Sequence, residues 1–351
     1  MNILYHTRRS IVNIAILLLI TFSPSPASKV DFSVSPCKEA RCVVQYRGNY
    51  FDLGGIMRSV KEYANAKINL YLSVTSKRKD GFHGIDTVMH TVSLCDEVTV
   101  TLAATGKRAV RLSLDGGKWL PTDAKNIAYA AAMLFMERAA INAEIHIKLL
   151  KRIPVAAGLA GGSADAAAVL RAMNRLFSRP FTERVLLSLA AELGSDVPYC
   201  LLGGTALCGG RGEEITRLPD NLTLHTVIAV AGEHVSTPAA YAALDTLYSN
   251  FDGSVPVTSG NALDELLASI DCGSLQVFRL YNIFEDAVLP TCPGAVGVKA
   301  RLAELGAKYV MMSGSGPSVF GIFDTASDAE NAAATLRAEG VVAHAAESVK
   351  K

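Results

Sequence analysis

Across residues 66–74 the apolar side chains of Ala66, Ile68, Leu70, Leu72 and Val74 alternate strictly with Lys67, Asn69, Tyr71 and Ser73. A period of two is that of a strand with one apolar face, so Lys67 and Asn69 project together from the opposite face. Lys79-Asp80-Gly81 follows with turn chemistry, and alternating stretches near 86–94 and 97–102 predict further antiparallel strands. The pattern turns helical from just after Asn126 to about Ala140 and returns to a strand over 143–151. From Ser163, the expected N-cap, a helix carries Val169, Leu170, Met173, Leu176 and Phe177 at the 3.6 period. A second helix over 182–193 is expected to close on Gly194 as its C′ residue. The second half repeats the scheme, with a strand over 224–231, helices, and a strand over 309–313. A glycine loop, a strand over 319–323, a helix from Asp328 and a last strand after Gly340 complete it. Strands precede helices twice without regular βαβα alternation, which implies an α+β class in two domains.

Length supports this, since 351 residues are enough for two cores. Half of the chain is hydrophobic, which excludes intrinsic disorder. The 34 Lys+Arg nearly balance the 33 Asp+Glu, and basic residues outnumber acidic ones ahead of Met57, so the remainder is slightly acidic. Such a balance lacks the basic surplus of a nucleic-acid binder. Seven cysteines, an odd number at irregular spacing and with no C-x-x-C pair, read as reduced thiols in a cytoplasmic setting rather than as a zinc site or an oxidised framework.

The mean hydropathy of +0.27 is high for a chain of this kind and has a local cause. Residues 11–22 form a nearly unbroken apolar run after Arg8-Arg9. The run is too short to cross about 30 Å of hydrocarbon but fits the h-region of a signal peptide. Alternatively Met57 is the true start, since Lys67 lies only ten residues beyond it. Residues 1–56 are therefore set apart as a leader, signal-like or the product of a misassigned start.

The segment Pro154-Val155-Ala156-Ala157-Gly158-Leu159-Ala160-Gly161-Gly162-Ser163-Ala164 runs straight into a helix. Glycines at a helix N-terminus let backbone N–H groups approach an anion, and the helix end adds roughly half a positive charge. A Walker A loop would need Lys after the last glycine, and a dinucleotide fingerprint would need G-x-G-x-x-G. Neither this loop nor Gly314-Ser315-Gly316 supplies either.

Three more motifs stand in order around the loop. Ala66-Lys67-Ile68-Asn69-Leu70 is followed by Asp80-Gly81-Phe82-His83; Gly194-Ser195-Asp196-Val197-Pro198 lies beyond the loop; Met312-Ser313-Gly314-Ser315-Gly316-Pro317 comes last. Together with Lys151-Arg152-Ile153-Pro154 they make the chain similar to the GHMP kinase superfamily over about residues 64–348. Within it, the resemblance is to the branch that phosphorylates the 2-hydroxyl of a cytidine-diphosphate-linked methylerythritol in non-mevalonate isoprenoid synthesis. The resemblance implies an N-terminal domain over 57–217 with a ribosomal-protein-S5-like fold and a ferredoxin-like C-terminal domain over 218–351. It implies ATP and Mg²⁺, and a small-molecule substrate as partner with neither nucleic acid nor stable membrane association. The expected assembly is a monomer or weak homodimer.

Residue by residue, the resemblance places Asp196 as the base that takes the substrate hydroxyl proton, with Lys67 beside it to stabilise the charge that develops. It puts ATP on residues 154–164, with Asn126 and Lys151 near the adenosine. Phe82 and Tyr241 are expected to stack on the cytosine, His83 to bond its edge, Thr237 to touch a substrate phosphate, and Asn69 to line the substrate site; no metal-ligating residue is assigned. Taken alone, Lys67 and Asn69 would read as a solvated strand face, and Thr237 before Pro238 as a helix N-cap. Three positions depart from the family pattern: Asn65 replaces a proline, Ala160 a loop glycine and Ala164 a loop serine. An alanine at 160 is expected to hold ordinary negative φ, and Ala164 removes a hydroxyl. Another GHMP specificity, for mevalonate, homoserine or a sugar, is disfavoured by Asp80-Gly81-Phe82-His83. An RNA-binding module on the S5-like fold is opposed by the charge, and a secreted binding protein rests on the leader alone.

Overall fold

The computed structural model describes residues 57–350 except 118, 231, 233–234, 249–260 and 274–278, and ahead of them three strands; side chains are described from Ser59 onward. The apolar run at 11–22 and Cys37 lie outside the described residues. In chain order the first half holds β1 (Ser33–Pro36), β2 (Cys42–Tyr46), β3 (Asn49–Asp52), β4 (Met57–Lys77), β5 (His83–Thr105) and β6 (Ala109–Asp115). Helix α1 (Ile127–Arg138), β7 (Ala143–Leu150), α2 (Gly161–Leu176), α3 (Glu183–Leu193), α4 (Val197–Leu202), β8 (Thr205–Gly209) and β9 (Glu214–Arg217) follow. The second half holds β10 (His225–Val230), α5 (Thr237–Leu247), α6 (Ala262–Cys272), β11 (Tyr281–Asn282), α7 (Phe284–Val288) and α8 (Pro293–Glu304). It ends with β12 (Tyr309–Met312), β13 (Ser318–Phe323), α9 (Ala326–Ala338) and β14 (Val342–Glu347).

Two sheets result. The first runs β1-β2-β3-β4-β5-β7-β6, with β8 beside β5 and β9 beside β8; the second is antiparallel in the order β12-β13-β10-β14. The change of sheet falls between Arg217 and His225. The two halves nevertheless interlock. β11, from the second half, pairs in parallel with β4 at Tyr71 and Leu72, and Ser348 bridges to Val92. Strands β1 to β3, from the segment set apart as a leader, form a meander that joins β4 through Tyr50 and Ser59.

Strand β4 carries the expected alternation, yet both of its faces are covered. Ala66, Ile68 and Leu70 enter an apolar cluster with Ile228, Met311, Phe320 and Leu266 that joins the two sheets. On the other face Lys67 and Asn69 are also buried. The separate strands expected near 86–94 and 97–102 are one long strand, because β5 follows the whole length of β4 and absorbs the strain in register shifts. Two of those shifts, between Asn65 and Lys67 and between Asn69 and Tyr71, flank the polar pair. A bulge re-aims the side chains beside it, so the irregularity sits where the strand must point Lys67 and Asn69.

Three local expectations are corrected. Helix α2 starts at Gly161, so Ser163 is its third residue and Ala160 is the N-cap. Ala160 does not hold negative φ but lies left-handed at φ 55°, as does Ala156 at 54°. Gly194 ends α3 with φ 168°, an extended conformation open to any residue, so it is not a left-handed cap. The chain leaves Gly194 extended and turns through Ser195 and Asp196, where Val197 N donates to Gly194 O at 3.2 Å, into the short α4, in which Val197 and Pro198 are buried.

Candidate active site

A cavity of about 940 Å³ opens between the two sheets. It is lined by Lys67, Asn69, Phe82, His83, Asn126, Lys151, residues 154–163, Asp196, Thr237 and Tyr241, together with Gly314 and Ser315. All but Ala164 of the site residues expected from sequence are therefore brought to one space. Ala164 is buried in the core below.

The end of the cavity around residues 154–163 is built mostly from backbone. The first bond of α2 runs from Ala164 N to Ala160 O at 2.9 Å, so the N–H groups of Gly161, Gly162 and Ser163 have no partner within the helix. The left-handed Ala160 turns these donors toward the cavity. The second glycine loop is sewn to the first. Ser313 Oγ donates to Gly158 O at 3.2 Å, and Ser318 Oγ donates to Ala157 O. Asn282 Nδ2 donates to both Met312 O at 2.8 Å and Gly314 O at 2.9 Å. The approach is so close that a Cβ on Gly158 would lie 2.0 Å from Ser313 O. Lys67 N also donates to Leu159 O at 3.2 Å, tying strand β4 to the same loop.

Lys151 and Asn126 flank this end. Lys151 Nζ donates to Asp96 Oδ2 at 2.5 Å and to Asp165 Oδ2 at 2.6 Å, and is almost fully buried. Burial alone would lower the Lys151 pKa, but the two carboxylates outweigh it and the group is held raised. Burial pushes the Asp165 carboxyl up to about 7, with the Asp96 charge adding to it and Lys151 opposing. Asp165 Oδ1 has no protein partner. Asn126 caps α1: its Oδ1 accepts from Ala128 N at 3.0 Å, and its Nδ2 donates to Pro121 O at 2.9 Å.

At the centre, Lys67 Nζ donates to Asn69 Oδ1 at 2.6 Å, Asn69 Nδ2 donates to Thr87 Oγ1 at 2.8 Å, and Thr87 Oγ1 donates to Tyr71 O at 2.6 Å. This buried chain fixes both the Asn69 amide and the Lys67 ammonium. A Cβ at Gly314 would be 3.3 Å from Lys67 Nζ, so the second glycine loop closes directly over the lysine. Asp196 is the N-cap of α4, but its side chain makes no capping bond and faces the cavity. Both charges reach the Cys208 thiol beneath. Burial first, then Asp196, push it up to about 12, while Lys67 opposes.

The far end is built from side chains. His83 stacks on Tyr241 with ring centroids 4.7 Å apart, and Tyr241 meets Phe284 edge-on at 4.9 Å. Burial, then the Asp196 charge, push the Tyr241 hydroxyl up to about 12. Phe82 is half exposed at the mouth with the Arg211 guanidinium 4.9 Å from its ring centroid. The cap of α5 is Ser236, whose Oγ accepts from Ala239 N, so Thr237 is left to meet Ser315 Oγ at 2.9 Å. Sequence reasoning missed Arg211, Asp245 and Thr87. Asp245 was within reach, since it lies one helical turn past Tyr241. Arg211 and Thr87 carry no local signal.

The GHMP kinases N terminal domain profile matches residues 126–204, and the GHMP kinases C terminal profile matches 263–342. A 4-diphosphocytidyl-2-C-methyl-D-erythritol kinase of Caldicellulosiruptor saccharolyticus is 41% identical over 276 residues, covering 78% of this chain and 91% of its own. One of Bacillus subtilis is 40% identical over 266 residues, 75% of this chain and 88% of its own. Among solved structures, a 4-(cytidine 5'-diphospho)-2C-methyl-D-erythritol kinase superposes with a TM-score of 0.68 at 34% identity, over 82% of this chain and 98% of that one. A homoserine kinase from Cytophaga hutchinsonii shares the fold, with a TM-score of 0.64 at 24% identity over 84% of this chain and 95% of that one.

Proposed function

The chain belongs to the GHMP kinases, within the 4-diphosphocytidyl-2-C-methyl-D-erythritol kinases, and from that membership we propose how its residues divide the work. The reaction is ATP-dependent phosphorylation of the substrate 2-hydroxyl in isoprenoid precursor synthesis. The observation that carries the residue assignment is that Lys67 and Asp196 line one cavity whose other wall is the free N-terminus of α2.

Phosphoryl transfer passes through a loose transition state, so the protein positions groups and stabilises charge. The ATP phosphates lie on the N–H groups of Gly161, Gly162 and Ser163, and the adenosine lies toward Asn126 and Lys151. Lys151 acts there as a buried brace, because its ammonium is already shared between Asp96 and Asp165. The substrate hydroxyl oxygen bonds to the γ-phosphorus as the bond from that phosphorus to the β-bridging oxygen breaks; ADP leaves, and the proton passes to the Asp196 carboxylate. Asp196 also orients the hydroxyl before transfer, and Lys67, held by Asn69, meets the charge that builds on the transferring group. Thr237 meets a substrate phosphate, and Phe82, His83 and Tyr241 hold the cytosine. Tyr241 already has one face against His83, so the base sits against this stacked pair.

Among the described residues no cluster of three or more His, Cys, Asp or Glu could cage a metal ion. The cavity instead offers hard oxygen donors that fit Mg²⁺ arriving on phosphates: the Ser163 hydroxyl and the unpartnered Asp165 Oδ1. Bound there, Mg²⁺ would neutralise charge on the β- and γ-phosphates. We divide the catalytic body at 217/218, where the sheets change. The five cysteines whose side chains are described are free, and among the described residues no helix is long and apolar enough to cross a membrane.

The test is ATP turnover with the cytidine diphosphate substrate, mevalonate and homoserine side by side. The first should exceed the others by at least about 10³-fold in kcat/KM, because sites built to hydrogen-bond a substrate reject those lacking its groups by such factors. Comparable turnover of mevalonate or homoserine would overturn the reading.

A further inference from the structure

Helix α5 presents Thr237, Tyr241 and Asp245 at intervals of four, one above another, and all three line the cavity. Asp245 is gripped from the hairpin across the cavity. Lys77 Nζ lies 2.6 Å from its Oδ2, and His83 Nε2 lies 2.7 Å from its Oδ1. Lys77 first, and then His83, hold the Asp245 carboxyl below its usual range. An ionised carboxylate only accepts, so Nε2 is the donor in the bond to His83. The imidazole has no freedom to turn away, because its side chain is 8% exposed and it is stacked on Tyr241.

We propose that Asp245 is the positioning residue for base recognition: by holding the Nε2 proton it leaves Nδ1 of His83 as a hydrogen-bond acceptor toward the pyrimidine. An acceptor suits the 4-amino group of cytosine and opposes the 4-oxo group of uracil, so the stacked pair of His83 and Tyr241 holds either base while the carboxylate behind it chooses between them. The inference rests on the reading above that His83 meets the cytosine ring. It assigns Asp245 a task distinct from its ion pair with Lys77, which is largely exposed and of a kind that contributes little.

The experiment uses the full chain labelled with ¹⁵N-histidine, with the His83 signal assigned by its loss in His83→Gln. Calorimetric titrations with cytidine 5′-diphosphate and uridine 5′-diphosphate accompany it. The wild type and Lys77→Ala should show the Nε2-protonated tautomer and bind the cytidine nucleotide about tenfold or more tightly than the uridine one. Asp245→Ala, which removes the acceptor, should lose most of that preference while its affinity for ATP stays within about twofold, and Asp245→Glu, which keeps a carboxylate acceptor, should restore part of it. An Nδ1-protonated His83 in the wild type overturns the proposal, and that observation needs no variant to fold. A wild-type preference that survives Asp245→Ala sinks the role of Asp245 alone. Equal binding of the two nucleotides by the wild type sinks the contact between His83 and the base as well.

Discussion

The two ends of the cavity are made of different material. At the end proposed for the nucleotide the available groups are backbone N–H donors of α2, and the two glycine loops that shape it are joined by hydrogen bonds to backbone carbonyls. At the end proposed for the substrate the groups are side chains from opposite halves of the chain, His83 and Phe82 on one hairpin, Tyr241 and Asp245 on α5. A backbone site suits a donor that every kinase of this kind shares, since phosphate carries no information beyond charge and shape. A site of side chains can be rebuilt for one substrate without disturbing the other end. The same fold appears in the homoserine kinase.

The sharpest way to break the comparison is at Gly158. A Cβ there would lie 2.0 Å from Ser313 O, and φ is 77°. Gly158→Ala should cost about 3 kcal/mol or more of stability from steric displacement and left-handed strain together, seen as a lower urea midpoint. It should also raise KM for ATP more than KM for the cytidine substrate. An equal rise in both would mean that the two ends are not separable. A smaller and opposite effect is expected at Ala160, whose φ of 55° an alanine adopts only with strain. Ala160→Gly should raise stability by about 0.5–1 kcal/mol, read as a higher urea midpoint, with substrate KM unmoved. A loss of stability would show that the left-handed turn is set by Ala160 itself.

Much of the nucleotide end was legible in the sequence, because glycine spacing before a helix reports backbone geometry directly. The strand of Lys67 and Asn69 was legible for the same reason, its alternation surviving into β4. The exact start of α2 was not: the N-cap rule looks for a side-chain oxygen and selects Ser163, whereas Ala160 caps by its backbone turn alone. The burial of Lys67 was equally hidden, since a polar strand face reads as solvated until the second glycine loop is seen to close over it. At the substrate end the partners of His83 and Phe82 are 162 and 129 positions away, Asp245 and Arg211, and no local pattern announces such pairs. Lys151 illustrates the limit from the other side. Its place beside the loop was expected from the motif, but its enclosure by Asp96 and Asp165 became visible only when α2 and β5 were packed together.

The central claim is that Asp196, left free at the head of α4, takes the proton of the phosphorylated hydroxyl beside Lys67. Single-turnover and steady-state kinetics of Asp196→Asn, read beside its melting temperature, test it most directly. Asparagine fits the same N-cap position, so the variant should fold and bind ATP with unchanged affinity, while kcat falls by about 10²–10⁴-fold. A kcat within about threefold of wild type, below the smallest loss expected for a general base, would remove Asp196 from the chemistry and contradict the account.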